Sequence, residues 1–431
     1  MPAERLLIVG GTVIDPSQKI EAKRDVLIEN GNIADVAAGL HKKSGLAGVA
    51  RLDASEAWVV PGLIDMHVHL REPGREGDET IATGTLAAAR GGVTTVLAMP
   101  NTEPPIDSPT LVRLLAAKIK QDAAVNVLIA GACTLGQKGE RLTEAALMKE
   151  AGAAALTDDG RPVMDSGLMR RVMEHARDAG LLVIDHCEDD HLSQGGCAHE
   201  GPASTAKGLR GIPWASETVM VLRDIALCEL TGAAIHIAHI SAAQSVDAVR
   251  AAKKRGLPVS AEATPHHFSL SEDDIEGYDA DYKMNPPLRA KADRDAVLAG
   301  LADGTIDTIA TDHAPHGPSK KECGLQLAPF GVIGLETSLA LGLTRLVGKG
   351  LLTRRQLVER MSAAPARLLG LKSKGSLRRG ADADITVIDP AASWNVEAPF
   401  ASKSRNSPFL GLRLKGRARA TIVGGRIAHA L

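Results

Sequence analysis

From Val59 onward two patterns alternate along the chain. Short runs rich in Val, Ile and Ala recur between Ala-rich stretches whose apolar residues fall at helical spacing. The runs are "VVPGLIDMHVH" from Val59, "TTVLAMP" from Thr94, "NVLIAGA" from Asn126, "AALT" from Ala154, "LLVIDH" from Leu181, "AIHIAHI" from Ala234, "PVSAEA" from Pro258 and "DTIATDH" from Asp307. The intervening stretches, such as "TIATGTLAAARGG" and "SVDAVRAAKKRG", carry Gly where a helix C-cap would sit. Strand and helix alternating in this way predict an α/β fold, a (β/α)8 TIM-type barrel over residues 58–375. Residues 1–57 and 376–431 read instead as short strands and turns, and predict a small discontinuous β domain, sandwich-like, built from both chain ends. There is no internal repeat of solenoid length and no low-complexity segment.

Polar residues gather at the strand ends. "DMHVHLR" closes the first run, and in an extended strand His67, His69 and Arg71 share one side. Asp158 and Asp159 follow the fourth run, His186 ends the fifth, His239 the sixth and Asp312 the eighth. The carboxyl ends of barrel strands converge on one face, so these residues become neighbours there. Each has an ordinary reading by itself: "TDDG" is a turn signature, and His236 and His239 could both be core histidines. Five strand ends carrying the same residue types outweigh those readings. His41, His175, His191, His199 and His429 lie off the strand ends and are taken as ordinary.

Composition narrows the chemistry. Four Phe, two Tyr and three Trp leave little for stacking on bases, and a net charge of −2 gives no basic field for nucleic acid or anionic membranes. No apolar run reaches membrane-span length and no signal-peptide cleavage pattern is present, which points to a cytoplasmic protein acting on a small polar substrate. The five cysteines are odd in number and form no CxxC pair, against a disulfide framework or zinc ribbon. A metal would therefore rest on imidazoles and carboxylates, a donor set suited to Zn²⁺. Ligands drawn from several strands leave room for water and substrate, as in a catalytic site.

The ordered set "DMHVHLREPG", "AMPNT", "TDDG", "DHCED", "HIAHIS", "TPHH", "MNPPLR", "ATDHAPH" and "PFGVIGLET" resembles class I dihydroorotases of the amidohydrolase superfamily. The late "KSRNSPFLGLRLKGRARATIVGG" resembles that family's C-terminal β region, so the likeness spans nearly the whole chain. The resemblance implies that His67 and His69 hold one metal position, His186 and His239 a second, and that Asp159 reaches between them. It implies one or two zinc ions per subunit, with Asp312 touching the metal and its water and shuttling protons. It implies substrate contacts from His69, Arg71, Asn101, Asn285, His316, Phe330 and Gly331. The expected reaction is the reversible closure of N-carbamoyl-L-aspartate to L-dihydroorotate, the third step of pyrimidine biosynthesis, through attack by metal-bound hydroxide on the ring amide. A homodimer and a complex with aspartate transcarbamoylase are the expected assemblies.

Two other readings compete. One is a hydantoinase, dihydropyrimidinase or allantoinase; many such relatives bridge two metals with a carboxylated lysine on the fourth strand, where this chain reads "GAAALTDDG" with no lysine. The other is a non-catalytic scaffold for the transcarbamoylase, against which stands the complete ligand set. Cys187, next to His186, reads first as a buried small hydrophobe, with a second reading as an occasional metal ligand that holds the enzyme off. The Gly- and Pro-containing segment "HAPHGPSKKECGLQLAPFG" from His313 is expected to act as a lid.

Overall fold

All eight predicted barrel strands form in the computed structural model, which describes residues 5–431. They are β1 (Leu63–Val68), β2 (Val93–Ala98), β3 (Asn126–Gly131), β4 (Ala153–Leu156), β5 (Leu182–Asp185), β6 (Ile235–Ile237), β7 (Val259–Ala263) and β8 (Thr308–Ile309). Each pairs in parallel with the next. A parallel bridge between Val68 and His313 joins the first strand to the segment after the last. Strands buried on both faces need no alternation of polar residues, which is why β1 and β2 read as unbroken buried runs.

Between strands the chain returns through helices that begin and end where the sequence provides caps. Ile81–Arg90 starts at a Thr80 capping box and stops at Gly91; Ser166–Ala179 starts at Asp165 and stops at Gly180 in the left-handed region. Their apolar faces share one large core with the outward sides of the strands. A second, smaller core fills the barrel interior with Met66, Leu97, Met99, Ala130, Ala155, Ile184, Ala238 and Ala310, capped by Leu368 and Leu369. This inner layer contains no aromatic residue and many alanines, as the composition requires.

The chain ends build two further sheets. One is four-stranded, from Arg5–Val9, Asp25–Glu29, Asn32–Ala37 and Ala50–Asp53; the other is six-stranded and joins Thr12–Asp15 and Ile20–Lys23 to Ile385–Asn395, Arg413–Val423 and Arg426–Ala430 through Trp58–Pro61. The run "VVPGLIDMHVH" is thus two strands. Trp58–Pro61 pairs with Ile385–Asn395 in the terminal sheet, and β1 enters the barrel after Gly62. Only glycine fits at that transfer, because a Cβ on Gly62 would lie 2.1 Å from Thr94 Oγ1. Among the described residues, no helix is long and apolar enough to cross a membrane.

Candidate active site

At the carboxyl ends of the strands the predicted ligands come together. Pairing of β1 with β2 loses register between Asp65 and Val68, and this irregularity re-aims His67 beside the end of β4. His67 Nε2 lies 3.2 Å from Asp159 Oδ1 and 3.5 Å from Asp312 Oδ1; His69 Nε2 lies 3.0 Å from Asp312 Oδ1 and 3.5 Å from Asp159 Oδ2. His186 Nδ1 and His239 Nε2 are 2.9 Å apart, each 3.8 Å from Asp159 Oδ1. Asp159 therefore stands between both histidine pairs. Asp158 points elsewhere: its carboxylate accepts the backbone N–H groups of Cys133 and Thr134, at 2.8 and 3.1 Å, and the Thr134 hydroxyl.

Partners behind the histidines set which nitrogen faces the centre. His67 donates from Nδ1 to Glu262 Oε1 at 2.7 Å, His69 from Nδ1 to Asn101 Oδ1 at 2.9 Å, and His186 from Nε2 to Glu188 Oε2 at 2.9 Å. In each neutral ring the opposite nitrogen is left as a lone-pair donor toward the centre. Burial opposes charge on His186, but the Glu188 carboxylate lifts it to about 9. A cation would therefore compete with a proton for its Nδ1. Burial would raise Asp312, yet the imidazoles of His67 and His69 hold its carboxyl at about 2, and the same balance holds Asp159 well below the usual carboxylate range.

The donor set fits a divalent cation. His67–Asp159–His239 and His67–His69–Asp312 each place three buried ligand atoms within 4.8 Å of one another. His67 Nε2 and Asp159 Oδ1 are buried without a hydrogen-bond partner. Among the described residues, no lysine or arginine pairs with Asp159, Glu262 or Asp312. Their partners are histidines, and buried carboxylates facing neutral imidazoles without a cation are costly, a cost that a metal offsets. Replacing Glu262 by glutamine is expected to weaken metal retention roughly 10- to 100-fold by loosening His67. Chelator competition measures this, and unchanged retention would show that Glu262 serves packing only.

Beside the ligands lies a cavity of about 160 Å³ lined by His69, Arg71, Asn101, Asn285, Phe330 and Gly331 among others. Arg71 reaches it by a route the strand pattern did not foresee. β1 ends at Val68, and Arg71 turns in with φ of 61°, its Nε–H donating to Pro315 O at 3.2 Å. His239 and Asp312 also have positive φ, of 30° and 46°. Strained non-glycine backbone at three site residues is the kind of cost that functional positions carry. Asn101 Nδ2 donates to Asp159 Oδ2 at 3.2 Å, and Asn285 Nδ2 to Glu188 Oε2 at 2.7 Å.

His316 is not among the residues lining this cavity. It sits behind the loop, where its Nε2–H donates to Phe330 O at 2.7 Å. Burial and the nearby Arg71 charge push it down to about 3, so the ring is neutral. Gly331, at φ of 133°, has no room for a Cβ, which would meet Ala314 O at 2.8 Å. The loop is tied by Asn406 Nδ2 to Ala314 O and Gly331 O, at 3.2 and 2.9 Å, and by Lys321 Nζ to Lys283 O, Pro329 O and Gly331 O. Cys187 faces away, its Sγ 3.5 Å from both Asp185 Oδ2 and Asp224 Oδ2, and burial pushes its thiol well up. Glu188, Glu262 and Asn406 escaped the sequence reading. An acid inside the apolar "PVSAEA" run was the available signal for Glu262.

An eight-stranded parallel barrel with histidines and aspartates at its strand ends is the architecture of the amidohydrolases. Solved structures agree: the L-hydantoinase (dihydropyrimidinase) of Arthrobacter aurescens superposes with a TM-score of 0.88 at 26% identity, covering 100% of this chain and 96% of that one. The D-hydantoinase (dihydropyrimidinase) of Thermus sp. gives 0.84 at 27%, covering 99% and 95%. In sequence, residues 57–245 match the family described as dihydro-orotase-like. The dihydroorotase of Pelotomaculum thermopropionicum is 56% identical over 98% of both chains, and that of Citrifermentans bemidjiense 51% over 98% of this chain and 99% of its own. The chain belongs to the dihydroorotase family.

Proposed function

We propose that the chain is a zinc-dependent dihydroorotase, interconverting N-carbamoyl-L-aspartate and L-dihydroorotate. Its membership of the family supports this. So does the observation that His69, Asp159, His186, His239 and Asp312 line a small cavity together with a buried arginine. His67, His69, Asp159, His186 and His239 would hold the metal, with Asp312 beside it. A divalent cation held there would supply an acidified water and positive charge opposite the developing oxyanion.

The remaining work belongs to side chains. Asp312, ionised at neutral pH, takes the proton of the attacking water and delivers it to the departing ring nitrogen. In the closing direction it takes the proton of the ureido nitrogen and returns it as water leaves. Arg71 meets the substrate carboxylate with its planar fork, and Asn101 adds a hydrogen bond beside it. Asn285 and the backbone of Phe330 and Gly331 bound the ring, while His316 steadies that backbone from behind. The hydantoinase reading has the structural likeness in its favour, but Arg71 in the cavity favours a ring that bears a carboxylate, and the end of β4 offers no lysine to bridge metals.

The test is turnover by purified, metal-analysed protein. The expected result is interconversion of N-carbamoyl-L-aspartate and L-dihydroorotate with bound zinc. Zinc-loaded protein without turnover would overturn the proposal, and turnover of hydantoin or dihydrouracil in its place would move it to the hydantoinases.

A further inference from the structure

The helix Ala215–Thr231 lies between β5 and β6 in the chain and packs between the helices Ser166–Ala179 and Ala243–Lys254. Its inner face, with Met220, Val221, Ile225 and Cys228, belongs to the main core. Its outer face is apolar as well. Val219, Leu222 and Leu230 are 48%, 53% and 63% exposed, and Ala226 between them is open to solvent. A helix that is apolar on both faces is ordinarily buried on both. Trp214 at its start and Leu192 on the adjacent helix Asp190–Ser193, which is tied to it by the Asp189 N–H donating to Ser216 O at 2.8 Å, extend the strip and are exposed too.

Charge is kept off this strip. Arg223 turns inward to Asp224 and Asp185, at 2.7 and 3.2 Å, and Glu229 is taken by Arg255. Beyond it the flanking helices carry ion pairs, Arg170 with Glu174 on one side and Arg250 with Asp247 on the other. An apolar centre inside an ion-paired rim is the anatomy of a protein interface. At these exposures the six side chains leave roughly 500 Å² of apolar surface open, more than half of the ~800 Å² that each partner buries in a stable interface. The rim can supply the remainder.

The spacing of the strip says what covers it. Turned end for end about a two-fold axis across the middle of the helix, positions 219, 222, 226 and 230 meet themselves, Val219 opposite the Leu230 position of a second copy and Leu222 opposite the Ala226 position. A large residue then faces a small one, which lets the two helices approach closely with side chains interdigitated. No charge at the centre opposes the match. We infer that this face is a two-fold interface through which the chain pairs with a second copy of itself, helix against antiparallel helix.

Sedimentation velocity of the purified full chain tests the interface. The wild type is expected to sediment as a dimer, with a melting temperature that rises with protein concentration. Leu222→Lys is expected to raise the dimer dissociation constant about 100-fold, because it forces a charge from each copy into a dry contact. Leu222 is exposed in the single chain, so the variant keeps its fold, which far-UV circular dichroism checks. Val219→Lys and Leu230→Glu should each break the dimer alone and recover it together, since the antiparallel register sets the two positions opposite one another. Leu114→Lys, on the separate helix Pro109–Asp122 and also exposed, should leave the dimer unchanged. A monomeric wild type overturns the inference and leaves the strip to a different protein. A dimer that survives Leu222→Lys, or that only Leu114→Lys breaks, overturns it too, and failure of the paired charges to recover the dimer overturns the antiparallel register.

Discussion

Replacing Asp312 by asparagine is expected to lower kcat by about 10³-fold in both directions, with bound metal retained. The expectation follows from where the carboxylate stands and what holds it ionised. Asp312 Oδ1 is 3.0 Å from His69 Nε2 and 3.5 Å from His67 Nε2, buried, and faces the cavity. Burial alone would favour the acid form, but the imidazoles hold the carboxyl at about 2, so it is a base at neutral pH. Asparagine keeps the shape and an oxygen toward the histidines but cannot accept a proton. Metal analysis of the variant is the control. If metal is lost along with activity, Asp312 is chiefly a ligand and the proton shuttle lies elsewhere. If kcat falls less than tenfold with metal in place, the assignment of the base is wrong.

Much of this site was legible because barrel topology converts sequence position into spatial position. A residue placed just after a parallel strand must lie on one face, so histidines separated by more than a hundred positions could be grouped without coordinates. What could not be read were groups whose role depends on contact rather than on strand ends. Glu262 lies inside β7, where strand pattern says only that an acid is buried; its 2.7 Å bond to His67 is what makes it part of the site. Glu188 follows His186 by two residues but binds its Nε2 only because the chain leaves the strand and turns. Asn406 arrives from the far end of the sequence to bind the loop at Ala314 and Gly331.

The split of "VVPGLIDMHVH" shows another limit. Periodicity sees one apolar run, whereas the close approach at Gly62 lets the same run serve two sheets. Similarly, Asp158 and Asp159 are equivalent by composition. The backbone of the β3 loop separates them by offering N–H groups to the first and none to the second.

Arg71→Met is expected to raise KM for dihydroorotate about 100-fold while leaving bound metal and the fold intact. Arg71 is 6% exposed, and burial brings its guanidinium down to about 10, so it remains charged at neutral pH with a substantial desolvation cost. Among the described residues it makes a single hydrogen bond, from Nε to Pro315 O, which leaves the rest of its fork for a ligand. Methionine fills a similar volume and removes the buried charge, so the folded state loses about 1 kcal/mol for that bond and regains some of the desolvation cost. The substrate loses its bidentate partner and leaves its own carboxylate in a cavity with no replacement cation in contact. Lysine at this position should restore only part of the affinity, because a point charge cannot reproduce the fork. The split between KM and metal content decides the role. Loss of metal in Arg71→Met would mean that "DMHVHLR" works as one metal-binding unit. Retained metal with a raised KM would mean that its histidines hold the metal while its arginine holds the substrate.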